Sequence, residues 1–409
     1  MSVPAPMPPP PAPAELRARK VSTGLSATVC ASNSGSEGPG LQHMSWDFPG
    51  GPGGQDVEPT TFRKVLLTLG GLVVPCFQRS YCWSRREVVA WFEVAARGVP
   101  NGTSCGKVIL TRSAGTHRGA APLLVIDGQQ RLCTSMLLLT AIRDAARQLP
   151  SDDTQARQLL DDLAGVMFDP SSGALRLTAS RSDRAALASL IAGQTGAGSL
   201  LAEAKAVFDA CLRRQRGWGA QQLAALAQRL LDRLPIMAVT WRDPQVACQV
   251  YLWIQEKSIF SMAAQPDDKL RGRRFRASDL ARNLLLSPFL GASVEEQERA
   301  YDDLWVPWQA QFDSAASADA AFSEFVRAEL WRKDQAPSQF VLQIDQFAPL
   351  CLQNGIDIEH LRVYARFAAE FERLAAEQGN ENAAKALLSG LMSSAQRRKA
   401  PRTGEGDAA

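Results

Sequence analysis

The spacing of apolar and polar residues changes character several times along the chain, and each change marks an element. From Thr60, "TTFRKVLLTLGG" has helical spacing and ends on Gly70 and Gly71, and "LVVP" (72–75) follows as a short apolar strand. After the loop "CFQRSYCW" (76–83), "SRREVVAWFEVAARG" reads as an amphipathic helix. Its punctuation is complete: Ser84 as N-cap, Glu87 closing a capping box, Gly98 as the stop. "GKVILT" (106–111) and "PLLVID" (122–127) predict neighbouring strands of one sheet, with a polar turn containing His117 and Gly119 between them. A long apolar helix over 132–149 stops at Pro150.

Beyond Pro150 the rhythm is helical almost throughout. "SDDTQARQLLDDLAG" predicts an amphipathic helix capped by Ser151. Further helices are expected at 181–192, 200–216, 219–233, 244–261, 277–287, 294–312, 318–332 and 357–377. "GALRLTAS" is a candidate strand, and "LPIMAVTW" (234–241) is a strand that would return to the sheet. The expected fold class is α+β: a small α/β core over 56–150 followed by a larger, mostly helical region over 151–395. A polar tail over 396–409 completes it.

Residues 1–55 break this picture. "MSVPAPMPPPPAPAELRARK" is Pro-rich, the next stretch is Ser- and Gly-rich, and "PGGPGG" closes it. Such a segment buries too little apolar area to offset its ordering entropy, so it is expected to be disordered. Arg17, Arg19 and Lys20 among small hydroxyl residues also fit an organelle transit peptide, and Met44 is an alternative start.

Composition narrows the class only slightly. The 409 residues are 45% hydrophobic and 21% charged, with a formal net charge of +3, too near neutral for a general nucleic-acid surface. The eight cysteines form no CxxC pair, so zinc ribbons and thioredoxin-like motifs lack support. Buried reduced thiols fit an intracellular compartment, cytoplasmic or nuclear, with an organelle as the alternative. The three histidines, His43, His117 and His360, stand far apart, and no apolar run approaches the ~18 residues that span a membrane.

The chemistry is concentrated at two strand ends. Asp127, Gly128, Gln129, Gln130 and Arg131 join an apolar strand to the long apolar helix. Gly128 permits the turn, the helix start offers free N–H groups and a positive dipole end, and Arg131 offers a fork of donors. Asp127 suits a divalent metal such as Mg²⁺ or a general base, and the glutamines suit a base edge, a ribose or a water. Taken alone, the pentapeptide reads equally as a common Asp-Gly turn with a solvated helix start. A second cluster shifts the balance: Gln78, Arg79, Tyr81 and Trp83 follow another short strand. Two Gln-Arg junctions at one sheet end would need an anion between their guanidiniums. Tyr81 and Trp83 would either wall the site by stacking or pack beneath the loop.

"VVPCFQRSYCW" and "VIDGQQRLCTSMLLLTAI" resemble the two motifs of the N-terminal domain of GmrSD-type, modification-dependent (type IV) restriction endonucleases. Weaker matches follow in "ASDLARNLLLSPF" (277–289) and "EEQERAYDDLWVPWQAQF", so the resemblance covers about 60–310. It implies a ParB/sulfiredoxin-like core that binds and hydrolyses a nucleoside triphosphate and regulates DNA cleavage or sensing. It implies a nucleotide site of Asp127, Gln129, Gln130 and Arg131 faced by Gln78 and Arg79, with Gly128 in the turn. Asp127 and Arg131 would be its catalytic pair, making the chain a candidate NTPase.

Two departures limit the inheritance. The region after 310 has one histidine and lacks an HNH nuclease set, so a separate nuclease subunit is the expected partner. Glu256, Lys257 and Asp243 are poorly spaced for a PD-(D/E)xK centre and read as a solvated helix face. "RGRRFR" is the best local basic patch, and Arg271, Arg273 and Arg274 are candidate DNA contacts or a loop of solvated charge. The alternative function is a non-catalytic DNA- or nucleotide-sensing module.

Overall fold

Strands rich in Val, Ile and Leu without polar alternation bury both faces, and such strands belong at the centre of a sheet. In the computed structural model, β3 (Lys107–Arg112) and β4 (Leu123–Asp127) occupy that position and pair antiparallel. The structure describes residues 55–399 apart from 69, 100–103, 113–120, 195–197, 216, 245–246, 248–275 and 331–357. All of them fall in one compact unit that begins at Gly54. The expected leader up to Gly54 and the tail beyond Lys399 therefore lie outside the described residues, as do His117, Glu256, Lys257, Arg271, Arg273 and Arg274.

The sheet has six strands in the order β1-β6-β3-β4-β2-β5. β1 is Gln55–Thr60, β2 Leu72–Val73, β5 Leu177–Thr178 and β6 Ile236–Trp241. β2 runs parallel to both β4 and β5, while β3 runs parallel to β6 and opposite to β4. The ends of β2, β4 and β5 thus share one edge with the starts of β3 and β6. The strand expected at 234–241 does return to the sheet, between β1 and β3.

Helices surround this sheet: α1 (Phe62–Leu66), α2 (Arg85–Arg97), α3 (Gln129–Ala146), α4 (Thr154–Met167), α5 (Arg184–Ile191), α6 (Leu200–Arg214) and α7 (Ala220–Gln228). α8 (Ala277–Leu286), α9 (Val294–Ala300), α10 (Ala315–Phe325), α11 (Ile358–Gln378) and α12 (Asn380–Lys399) follow. The class is α+β, as expected. α3 is the hub. Leu132, Met136, Leu137, Leu138, Leu139 and Ile142 are all fully buried, so the helix is apolar all round and lies within the core.

Four sequence expectations need correction. β1 begins at Gln55, where a disordered leader was expected to end; "QDVEPT" carries Pro59 and two acids, and its partner β6 lies far along the chain. α3 begins at Gln129 rather than 132, because Gly128, at φ 94°, turns directly into the helix. α4 is capped by Asp153, which accepts from Gln155 and Ala156 N–H, and not by Ser151, which lies in the preceding turn. α12 was not foreseen and runs to Lys399, past the expected boundary at 396.

Candidate nucleotide site at the sheet edge

The edge where β2, β4 and β5 end carries both Gln-Arg junctions, and the two are bonded to each other. Gln78 Nε2 donates to the Ile126 carbonyl at 3.1 Å. In return Gln129 Nε2 donates to the Arg79 carbonyl at 3.1 Å. Gln130 donates from Nε2 to the Ser80 carbonyl at 3.3 Å and accepts at Oε1 from Cys82 N–H at 2.9 Å. All three glutamines are buried. Gln129 and Gln130 serve the backbone of the 76–83 loop and Gln78 that of β4, pairing polar groups that would otherwise lie unpaired beside the core.

Tyr81 sits inside this junction, buried, with its hydroxyl 2.8 Å from Thr134 Oγ1. Thr134 in turn donates to the Gln130 carbonyl at 2.7 Å. Tyr81 N–H donates to Asp183 Oδ2 at 2.6 Å, tying the loop to the segment after β5. Trp83 is half-buried, edge-on to Trp91 with ring centroids 5.7 Å apart. Of the two alternatives for these aromatics, packing describes the arrangement seen.

The charged groups collect next to the start of α3. Gly128 is its N-cap, no side chain caps it, and its first turn holds no acid, so N–H groups and dipole face this edge uncompensated from within the helix. Arg131 is half-buried and donates from one terminal nitrogen to the Lys107 carbonyl at 3.3 Å. Lys107 itself interacts with both Asp127 and Arg131: burial pushes its ammonium below the ordinary lysine range, Asp127 opposes that, and Arg131 adds to it. Asp127 ends β4, half-buried and opposite Ile109. Arg79 is half-buried, its carbonyl fixed by Gln129.

Two residues here carry no motif signature. Gly106, at φ 113°, lies flat under Arg131: a Cβ there would stand 2.8 Å from the guanidinium carbon. Lys107 brings a second cation beside Arg131. A glycine opening a strand signals close approach of another group, which was the one legible sign of Gly106. Nothing in the spacing distinguished Lys107 from a solvated strand end. Among the described residues no group of three His, Cys, Asp or Glu side chains forms a metal site. One carboxylate, Asp127, suits a Mg²⁺ ion that arrives on phosphates rather than one caged by protein.

No helix among the described residues is long and apolar enough to cross a membrane. No curated protein matches the chain. Residues 63–211 match the family model described as the GmrSD restriction endonuclease, N-terminal domain. The matched segment runs from within α1 to within α6, so it holds β2 to β5 and both Gln-Arg junctions, and leaves β1, β6 and the later helices outside. Over the segment that builds this site the chain is therefore similar to the N-terminal domain of the GmrSD restriction endonuclease, and in that sense carries a restriction-endonuclease-related domain.

Proposed function

We propose that this edge binds the phosphates of a nucleoside triphosphate and that the domain acts as a nucleotide-responsive regulator. One observation carries the reading: an uncapped helix N-terminus, two cations and a single carboxylate share the edge to which both Gln-Arg junctions are bonded. Lys107 and Arg131 outweigh Asp127 by one unit of charge, so an anion relieves the imbalance. Ligands of open sheets with parallel strands favour the carboxyl ends of those strands, which is where these groups lie.

In this reading Arg131 and Lys107 hold phosphate oxygens and the α3 N–H groups add backbone donors. Asp127 holds Mg²⁺ brought with the nucleotide, or orients the attacking water. Bound Mg²⁺ would neutralise developing phosphate charge. Arg79 closes the site from the facing junction. The glutamines hold the frame.

The use of those amides favours a second reading beside it. With Gln78, Gln129 and Gln130 bonded to backbone, water positioning falls to Asp127 alone, which suits binding without turnover. DNA, through the basic stretch at 271–276, and a separate nuclease subunit are the partners proposed for either case. Malachite-green phosphate release from ATP, GTP, CTP and UTP with Mg²⁺, together with calorimetric affinities, separates the readings. Turnover abolished by Asp127→Ala supports hydrolysis. Affinity without turnover supports the sensor. Affinity unchanged in both Asp127→Ala and Arg131→Ala overturns the site.

A further inference from the structure

The 76–83 loop is held from a second side by a residue outside the matched family segment. Arg282, on α8, donates from Nε to the Phe77 carbonyl at 2.7 Å across 205 residues of sequence. This carbonyl immediately precedes Gln78, and Phe77 is almost fully buried. Arg282 is itself 8% exposed, which is rare for an arginine and demands compensation. It has two sources: Asp279 Oδ1 lies 3.0 Å from a terminal nitrogen, and the Trp305 ring lies 5.9 Å below the guanidinium carbon.

The neighbouring contacts join the same two regions. Cys76 Sγ donates to the carbonyl of buried Gln297 on α9 at 3.5 Å. Arg184 pairs with Glu298 at 2.5 Å, and Arg181 pairs with Asp302 at 2.8 Å. These two ion pairs are partly exposed and bind the regions without touching the loop carbonyls. Arg282 alone among these charged groups bonds to the backbone that carries Gln78 and Arg79. Gln78 is fastened to Ile126 and Arg79 to Gln129, so a shift of the Phe77 peptide strains both junction bonds.

We infer that Arg282 is a positioning residue for the Gln78–Arg79 junction, through which the helical region after 276 sets the geometry of the nucleotide edge. The functional half of this inference rests on the nucleotide-binding reading above. The coupling is reciprocal: a nucleotide that orders the junction also restrains α8.

The test uses the full chain with Arg282→Gln, Arg282→Lys and, as a control, Arg184→Gln. Hydrogen exchange measured by mass spectrometry on the peptide covering 75–83 reads loop placement with no nucleotide present. Arg282→Gln is expected to speed exchange there at least tenfold, Arg282→Lys less, and Arg184→Gln not at all. Calorimetry with the tightest binder among ATP, GTP, CTP and UTP, with Mg²⁺, then reads function. Arg282→Gln should weaken binding about tenfold, non-additively with Arg79→Ala and additively with Arg131→Ala. If Arg282→Gln fails to fold, the same measurements on Arg282→Lys decide. Unchanged loop exchange in a folded Arg282 variant overturns the inference, as does additivity with Arg79→Ala. A wild-type chain that binds none of the four nucleotides overturns the nucleotide reading, and loop exchange alone then judges the placement by Arg282.

Discussion

Replacing Gln130 by alanine separates a frame residue from a ligand contact. The side chain is 9% exposed and makes two bonds to the loop, at 2.9 Å from Cys82 N–H and at 3.3 Å to the Ser80 carbonyl. A neutral hydrogen bond contributes about 0.5–1.5 kcal/mol net, and the longer of these belongs at the lower end. Ser80 and Cys82 are exposed, so water replaces part of what is lost and keeps the pair near 1–1.5 kcal/mol. The lost buried methylene adds about 0.8 kcal/mol. Gln130→Ala should therefore destabilise the protein by about 2 kcal/mol in urea denaturation. If that free energy is drawn from local opening, the Cys82 amide should exchange roughly thirtyfold faster. Gln130→Glu sharpens the test. Its carboxylate still accepts from Cys82 N–H but faces the Ser80 carbonyl with no proton to donate. Protonation would restore a donor toward that carbonyl, so this variant should regain stability as pH falls toward 4. A Gln130→Ala protein within about 0.3 kcal/mol of wild type, with unchanged Cys82 exchange and weakened nucleotide binding, would refute the frame role and return Gln130 to the ligand.

Four further outcomes follow from the same geometry. Gly128→Ala should cost about 2–4 kcal/mol by thermal denaturation, because a Cβ at φ 94° would also stand 3.1 Å from the Lys107 carbonyl and 3.2 Å from Val108 Cα. Gly106→Ala meets the movable end of Arg131 instead, so it should cost less and reproduce the affinity loss of Arg131→Ala. Lys107 has its folded pKa lowered, chiefly by burial, so stability should rise with pH between that value and the unfolded one near 10.5, while nucleotide affinity should fall over the same window; Lys107→Arg should keep its affinity there by titration calorimetry. Among the described cysteines, maleimide at pH 8 should modify exposed Cys82 first, whereas Cys76 and Cys133, whose thiols burial pushes up to about 12, should react only in denaturant.

The parts of the fold legible in the sequence are those whose cause is local. β3, β4 and α2 announce themselves by apolar runs and by a Ser84–Glu87 capping box that the structure contains. β1 does not, because its stability comes from pairing with β6, and "QDVEPT" shows only the polar side of an edge strand. α12 was missed for a related reason: Gly390 and three serines dilute its helical signal, yet Ala383, Ala384, Leu387, Leu388 and Leu391 bury one face. At the site, the motif residues were legible as a set but not by task. A glutamine amide suits a ligand and a backbone carbonyl equally well, and only the distances to Ile126, Arg79 and Ser80 distinguish the two. Arg282 was beyond reach, since its partner is a carbonyl 205 residues away.

The distances also assign the tasks within the motif. A buried amide already bonded to backbone gives up that bond only at about 1–3 kcal/mol for each group left unpaired. Arg131 is placed differently. Its guanidinium has five N–H donors, and one of them serves the Lys107 carbonyl, while Gly106 leaves it room to lie flat. The motif therefore divides into amides that fix the two junctions against each other and Arg131, whose remaining donors can meet an anion. This division has a consequence across a variant series. At Gln78, Gln129 and Gln130, losses of stability and of affinity should rise together, because affinity is lost through the frame. At Arg131, affinity should fall with a smaller loss of stability, because a single long bond to the Lys107 carbonyl ties that side chain to the fold. A glutamine variant of full stability with no affinity would break the pattern and place that amide on the ligand.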